Sequence, residues 1–191
     1  MTSSGITRSP GLFCLGFGVL TQLLAQAPPP YKRTLETYKI PEVVLLNQDG
    51  AKVNLKTVLE SKDPVVLDFI FASCTTICPV LSAGFATLQQ KLPATSKVRM
   101  ISISIDPEND TPPLMKAYLK RYRSRPGWSF YTGRREDIDR VMVAFNAYIP
   151  NKMSHYPLTL LRDPRTGQWV RIYGLMSSSE FLVECRKVGI Q

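Results

Sequence analysis

The chain has 191 residues, 44% hydrophobic and 20% charged, with 24 Lys and Arg against 15 Asp and Glu for a formal net charge of +9. This composition excludes collagen-like, coiled-coil and wholly disordered chains, and the length suffices for one domain with its own core. The basic residues are scattered apart from Lys116–Arg125 and Arg134–Arg135, without interleaved aromatics, so the charge favours an acidic partner or membrane face over nucleic acid.

Arg8 precedes an apolar run, Gly11–Ala25, that closes on Ala25-Gln26-Ala27 and three prolines. That is the layout of a secretory signal peptide over residues 1–27. An uncleaved anchor is the alternative, although the run is shorter than the ~20 residues of a spanning helix. Cys14 lies inside this segment and outside any lipoprotein-type box, so the exported part holds Cys74, Cys78 and Cys185. Three cysteines are too few for a disulfide scaffold. Residues 28–41 read as a Pro-rich polar leader and 42–191 as the domain.

In chain order, Val43–Asn47 reads as a strand, Asp49-Gly50 as a hairpin turn, and Ala51–Leu55 as the returning strand. Val65–Phe71 is nearly all apolar and β-branched, as in a central strand buried on both faces. After it come Cys74-Thr75-Thr76-Ile77-Cys78-Pro79, then Val80, Leu81, Phe85, Leu88 and Leu92 at helical spacing. The two cysteines therefore sit on a strand-to-helix turn, with Pro79 in the first helical turn, where no backbone donor is needed. Val98–Ile105 is a further strand, Asp106–Pro113 a loop, and Leu114–Tyr122 a helix. Trp128–Tyr131 is a short strand and Ile138–Phe145 lies on a helix. Strands Tyr156–Leu161 and Trp169–Tyr173 flank the turn Asp163–Gly167, and a helix over Ser178–Lys187 ends the chain. Alternating strands and helices with a closing hairpin and helix predict an α/β fold, a three-layer α/β/α sandwich.

A cysteine at a helix N-terminus feels the positive end of the macrodipole, which favours its thiolate as nucleophile and metal ligand. The Cys-x-x-x-Cys spacing lets Cys74 and Cys78 share one ion or close a disulfide. A static disulfide holding the loop is the plain structural alternative, but so short a link constrains little chain entropy. His155, the only histidine, stands in the loop before a strand. Two thiolates and an imidazole form a soft, low-coordinate donor set that selects Cu(I), whereas zinc would want a fourth ligand at a characteristic spacing. Met153 is a weak thioether candidate, more simply read as a packing residue. Asp68, inside the apolar strand, is either a proton relay for thiol exchange or an inward carboxylate hydrogen-bonded to a neighbour. Cys185, among Phe181, Leu182 and Val188, reads as a buried, inert thiol.

The ordered set Cys74–Pro79, Ile101–Pro112, Gly127–Gly133 and His155 through Gly167 to Tyr173 resembles the Sco/SenC family of thioredoxin-like proteins, from about Tyr38 to the C-terminus. The resemblance implies a thioredoxin-like fold with a mixed sheet and an N-terminal hairpin. It implies copper held by Cys74, Cys78 and His155 for assembly of a cytochrome oxidase copper site. The partner would be a membrane-bound oxidase subunit or another copper protein, met in the bacterial periplasm or at the outer face of the inner membrane. The alternative activity is a thiol–disulfide oxidoreductase using Cys74, Cys78 and Asp68; no threonine-rich peroxidatic pattern surrounds Cys74. Thr75 stands where the family usually has proline, and Ser154 where it usually has aspartate before the histidine. Val66–Phe69 and Pro157–Leu160 are also similar to general thioredoxins, which implies a cis bond before Pro157.

Overall fold

The computed structural model describes residues 1–2 and 30–190. The remainder of the expected signal segment, with Cys14, lies outside the described residues. The strands are β1 Lys32–Glu36, β2 Val44–Asn47, β3 Lys52–Asn54, β4 Val65–Ile70, β5 Arg99–Ser104, β6 Trp128–Thr132, β7 Leu158–Arg162 and β8 Trp169–Tyr173. The helices are α1 Leu55–Leu59, α2 Ile77–Lys91, α3 Pro112–Arg121, α4 Arg135–Ala144 and α5 Ser178–Lys187. They form one open mixed sheet in the order β1-β8-β7-β4-β5-β6-β2-β3. The β4–β5–β6 core is parallel, and the remaining pairings are antiparallel.

Strand β4 is buried along its whole length, as its unbroken apolar run requires of a central strand. Its residues alternate between two faces. Phe69 meets Phe145, at the C-terminal end of α4, with ring centroids 5.9 Å apart. Asp68 faces the opposite layer, where Phe85 of α2 packs on Trp128 and on Phe181 of α5. Tyr118 of α3 shares a 2.7 Å hydrogen bond with Ser82 of α2 in that same layer. Helices thus cover both faces, and the thioredoxin-like three-layer expectation holds. The β2–β3 hairpin turns where expected: Asn47 Oδ1 accepts the Asp49 and Ala51 N–H groups, and Gly50 adopts φ +78° without a Cβ penalty.

Three local expectations are corrected. The stretch read as leader contains β1, which pairs with β8 at the sheet edge. Its alternation is short and mostly exposed, so periodicity barely marks it. A tertiary ion pair from Arg33 to the buried Glu184 of α5 holds it, and Tyr31 hydroxyl donates to the same carboxylate at 3.0 Å. The second correction is at Leu55, which starts α1 rather than ending a strand, because Asn54 caps the Thr57 N–H. The third concerns Pro157: no peptide bond among the described residues is cis. The Pro157 carbonyl accepts from Gly174 N–H at 3.0 Å, so the β7–β8 pairing begins with this bond trans.

Candidate metal centre

Cys74 and Cys78 stand where the spacing put them, between the C-terminal end of β4 and the first turn of α2. The Cys74 N–H donates to the Phe71 carbonyl at 3.1 Å, closing a turn. Cys78 is the second residue of α2 and is fully buried, while Cys74 is 8% exposed. His155 arrives from the opposite side. It follows the 3-10 turn Lys152–Ser154, capped by Asn151 Oδ1 on the Met153 N–H. The donor atoms of Cys74, Cys78 and His155 all lie within 4.8 Å of one another. Both cysteines are free thiols, so the static-disulfide reading does not describe this state.

The imidazole has a defined orientation. His155 Nδ1 lies 2.8 Å from the Lys152 carbonyl, which can only accept, so Nδ1 carries the proton. Nε2 then presents its lone pair to Cys78 Sγ at 3.2 Å. The Phe71 ring meets the imidazole edge-on at 5.2 Å and walls one side. Burial pulls the His155 pKa below its usual value, against the Lys152 carbonyl, so the ring is neutral and ligand-ready at pH 7.

The two thiols differ. Burial pushes Cys74 up, but hydrogen bonds from the Cys78 thiol, the Cys78 and Thr76 N–H groups and the Thr76 hydroxyl outweigh it, and the net shift is downward. Burial, then the neighbouring Cys74, drives Cys78 strongly upward. Cys74 is the more readily ionised thiol of the pair; Cys78 keeps its proton, with Cys74 Sγ and His155 Nε2 as its acceptors within reach. Burial raises Cys185 to about 12, which makes it the inert thiol expected. Brief iodoacetamide treatment of the reduced protein at pH 8 will therefore label Cys74 at least about tenfold faster than Cys78 or Cys185. Peptide mass spectrometry reads this, and equal labelling would refute the asymmetry.

The remaining candidates separate from the cluster. Met153 is 70% exposed and is not the packing residue expected. Asp68 is fully buried, and neither carboxylate oxygen has a hydrogen-bond partner. Burial raises its pKa to about 7, tempered by the neighbouring Ser102 hydroxyl, whose oxygen accepts from Trp128 Nε1 at 3.1 Å. The Asp68 charge adds a small upward push to Cys78, well behind burial and the neighbouring Cys74. Thr76 and Phe71 support the centre with no sequence signal of their own.

Two soft sulfurs and one neutral nitrogen, mostly shielded from water, suit a soft monovalent ion and leave hard cations unserved. A family model described as SCO1/SenC matches residues 33–186. The chain is 43% identical over 99 residues to the SCO1 protein homolog of Bacillus subtilis (strain 168), covering 50% of each. It spans about half the length of the first curated relatives it matches. The fold is similar to BsSco, described as a member of the Sco family of cytochrome c oxidase assembly proteins in work on its disulfide switch. Identity there is 30% and the TM-score 0.65, over 80% of this chain and 94% of that one. It is also similar to Bradyrhizobium japonicum ScoI with copper bound, at 26% identity and TM-score 0.62, over 78% and 99% of the two chains. Because the family match runs from the edge strand β1 through α5 and encloses all three converging donors, the chain belongs to the SCO1/SenC family.

Proposed function

We propose that this chain carries copper, as Cu(I), on Cys74, Cys78 and His155 and delivers it to a copper site of a cytochrome oxidase. The observation that carries the reading is the convergence of the three donors within 4.8 Å, although Cys78 and His155 stand 77 residues apart in sequence. The donor chemistry fits: thiolates select Cu(I), and a neutral imidazole completes a three-ligand site. The Bradyrhizobium relative, solved with copper bound, supports it. Copper here is cargo. Cys74 supplies the ready thiolate, His155 the oriented lone pair, and Cys78 the second sulfur once its proton leaves, so binding releases protons and tightens as pH rises.

The setting is exported, in the periplasm or at the outer face of the inner membrane, as the apolar run Gly11–Ala25 indicates. Among the described residues no helix is long and apolar enough to cross a membrane. A second reading, thiol–disulfide exchange on the partner's cysteines, is favoured by the unequal thiols. Cys74 thiolate would attack a partner disulfide, giving a mixed disulfide and a partner thiol, and Cys78 would resolve it as the pair is oxidised.

Titration of the reduced chain with Cu(I) against a chromophoric chelator tests the first reading. One tightly held equivalent is expected, with His155→Ala weakening it by more than about tenfold, since even an outer-shell partner of a ligand is worth ~10–100-fold. Failure of the wild-type chain to compete would reject copper carriage, and unchanged affinity in His155→Ala would remove that residue from the site.

A further inference from the structure

The loop between β5 and α3 carries two buried carboxylates that copper binding itself does not use, Asp106 at 3% exposure and Asp110 at 1%. Each grips a different arm of the centre. Asp110 accepts the Ala72 N–H at 3.2 Å on both oxygens and the Ser104 hydroxyl at 2.6 Å. Ala72 stands two residues before Cys74, so this carboxylate fixes the start of the cysteine arm. Asp106 forms an ion pair with Lys152, three residues before His155, and accepts Asn109 Nδ2 at 2.9 Å on its other oxygen.

The Lys152 carbonyl is the group that orients the imidazole. It accepts the His155 N–H at 3.2 Å and Nδ1 at 2.8 Å. The Lys152 ammonium also lies 5.3 Å from the centroid of the Phe71 ring that walls the histidine. The loop itself is braced from α4, where Arg135 pairs with Glu108 and donates to the Ile105 carbonyl at 3.3 Å. One braced loop therefore reaches both arms. A charged carboxylate is costly to bury unless it is paired and hydrogen-bonded, and a buried ion pair is weak evidence of added stability.

We infer that the Asp106–Lys152 ion pair positions His155 as a copper ligand, by holding the Lys152 carbonyl where it keeps the proton on Nδ1 and aims Nε2 at Cys78. The inference rests on the copper reading above for its consequence, but not for its geometry. Partners of this kind set the tautomer and ring orientation of ligating histidines, and their loss typically weakens metal binding ~10–100-fold. A tie that merely stabilised the fold would act on copper affinity whether or not His155 were present.

Lys152→Met keeps the stem over Phe71 and removes the charge. In the full chain it is expected to weaken Cu(I) binding about tenfold. In a His155→Ala background the same change should matter less than about twofold, because the residue it acts through is gone. Lys152→Arg should restore most of the affinity. In the metal-free reduced chain, nitrogen-15 NMR of the His155 ring should show the Nδ1–H tautomer in wild type and a mixture in Lys152→Met. That measurement does not need copper: a wild-type chain that failed to bind Cu(I) would sink the copper reading, while the tautomer would still decide positioning. Asp106→Asn, measured in the same way, replaces Lys152→Met if the latter does not fold. An unchanged tautomer, or an affinity loss of equal size in the His155→Ala background, would overturn the inference.

Discussion

Cys74→Ser and Cys78→Ser will each lower Cu(I) affinity by more than about 100-fold, a larger loss than removal of any outer-shell partner. Each variant replaces a soft sulfur with a hard hydroxyl that Cu(I) does not favour. The two variants then diverge. Cys78→Ser keeps the low-pKa Cys74 thiol and loses the resolving one, so it will accumulate a mixed disulfide with a small disulfide reagent. Cys74→Ser keeps only a buried thiol pushed far above its usual pKa, and will react slowly. Chelator competition and intact-mass analysis of the two variants read both effects. Copper retained by either variant would mean that the cysteine pair is not the site. Equal adduct formation would mean that the thiol asymmetry has no chemical consequence.

Asp68→Asn will make the reduced, metal-free protein more stable at pH 8 but not at pH 4. Asp68 is fully buried, with neither oxygen hydrogen-bonded, and burial raises its pKa from 3.8 to about 7. Between those values the folded state holds a proton that the unfolded chain has released. Stability therefore falls as pH rises through this window, and the loss is complete above pH 7. At about 1.4 kcal/mol per pKa unit, the cost of the buried charge reaches up to about 4 kcal/mol at pH 8. Asparagine cannot ionise, and below pH 4 it closely matches protonated aspartic acid. Urea unfolding of both proteins at pH 4, 6 and 8 should give curves that converge at low pH and separate as pH rises. Parallel curves would show that the carboxylate is compensated in the fold.

The relation between sequence and site follows the range of the forces involved. The unbroken apolar run of β4, the helical spacing from Val80 to Leu92 and the Asp49-Gly50 turn were legible because burial and turn chemistry leave local periodic marks. The Cys74–Cys78 pair was legible because four residues on one strand-to-helix turn keep two sulfurs close under any tertiary arrangement. Resemblance suggested His155 as their partner, but its approach from 77 residues away is a fact of the sheet, in which β7 lies beside β4. β1 escaped notice because its support comes from Glu184 on the last helix. Lys152 and Asp106 carried no local signal, since an ion pair between two loops has no period. By itself the sequence determined which elements form and which atoms carry the chemistry, because propensity, burial pattern and ligand type are properties of neighbouring residues. Only the tertiary structure decided which thiol ionises more readily, which imidazole nitrogen faces the sulfurs and what holds it there, because those depend on desolvation and hydrogen bonds between segments far apart in the chain.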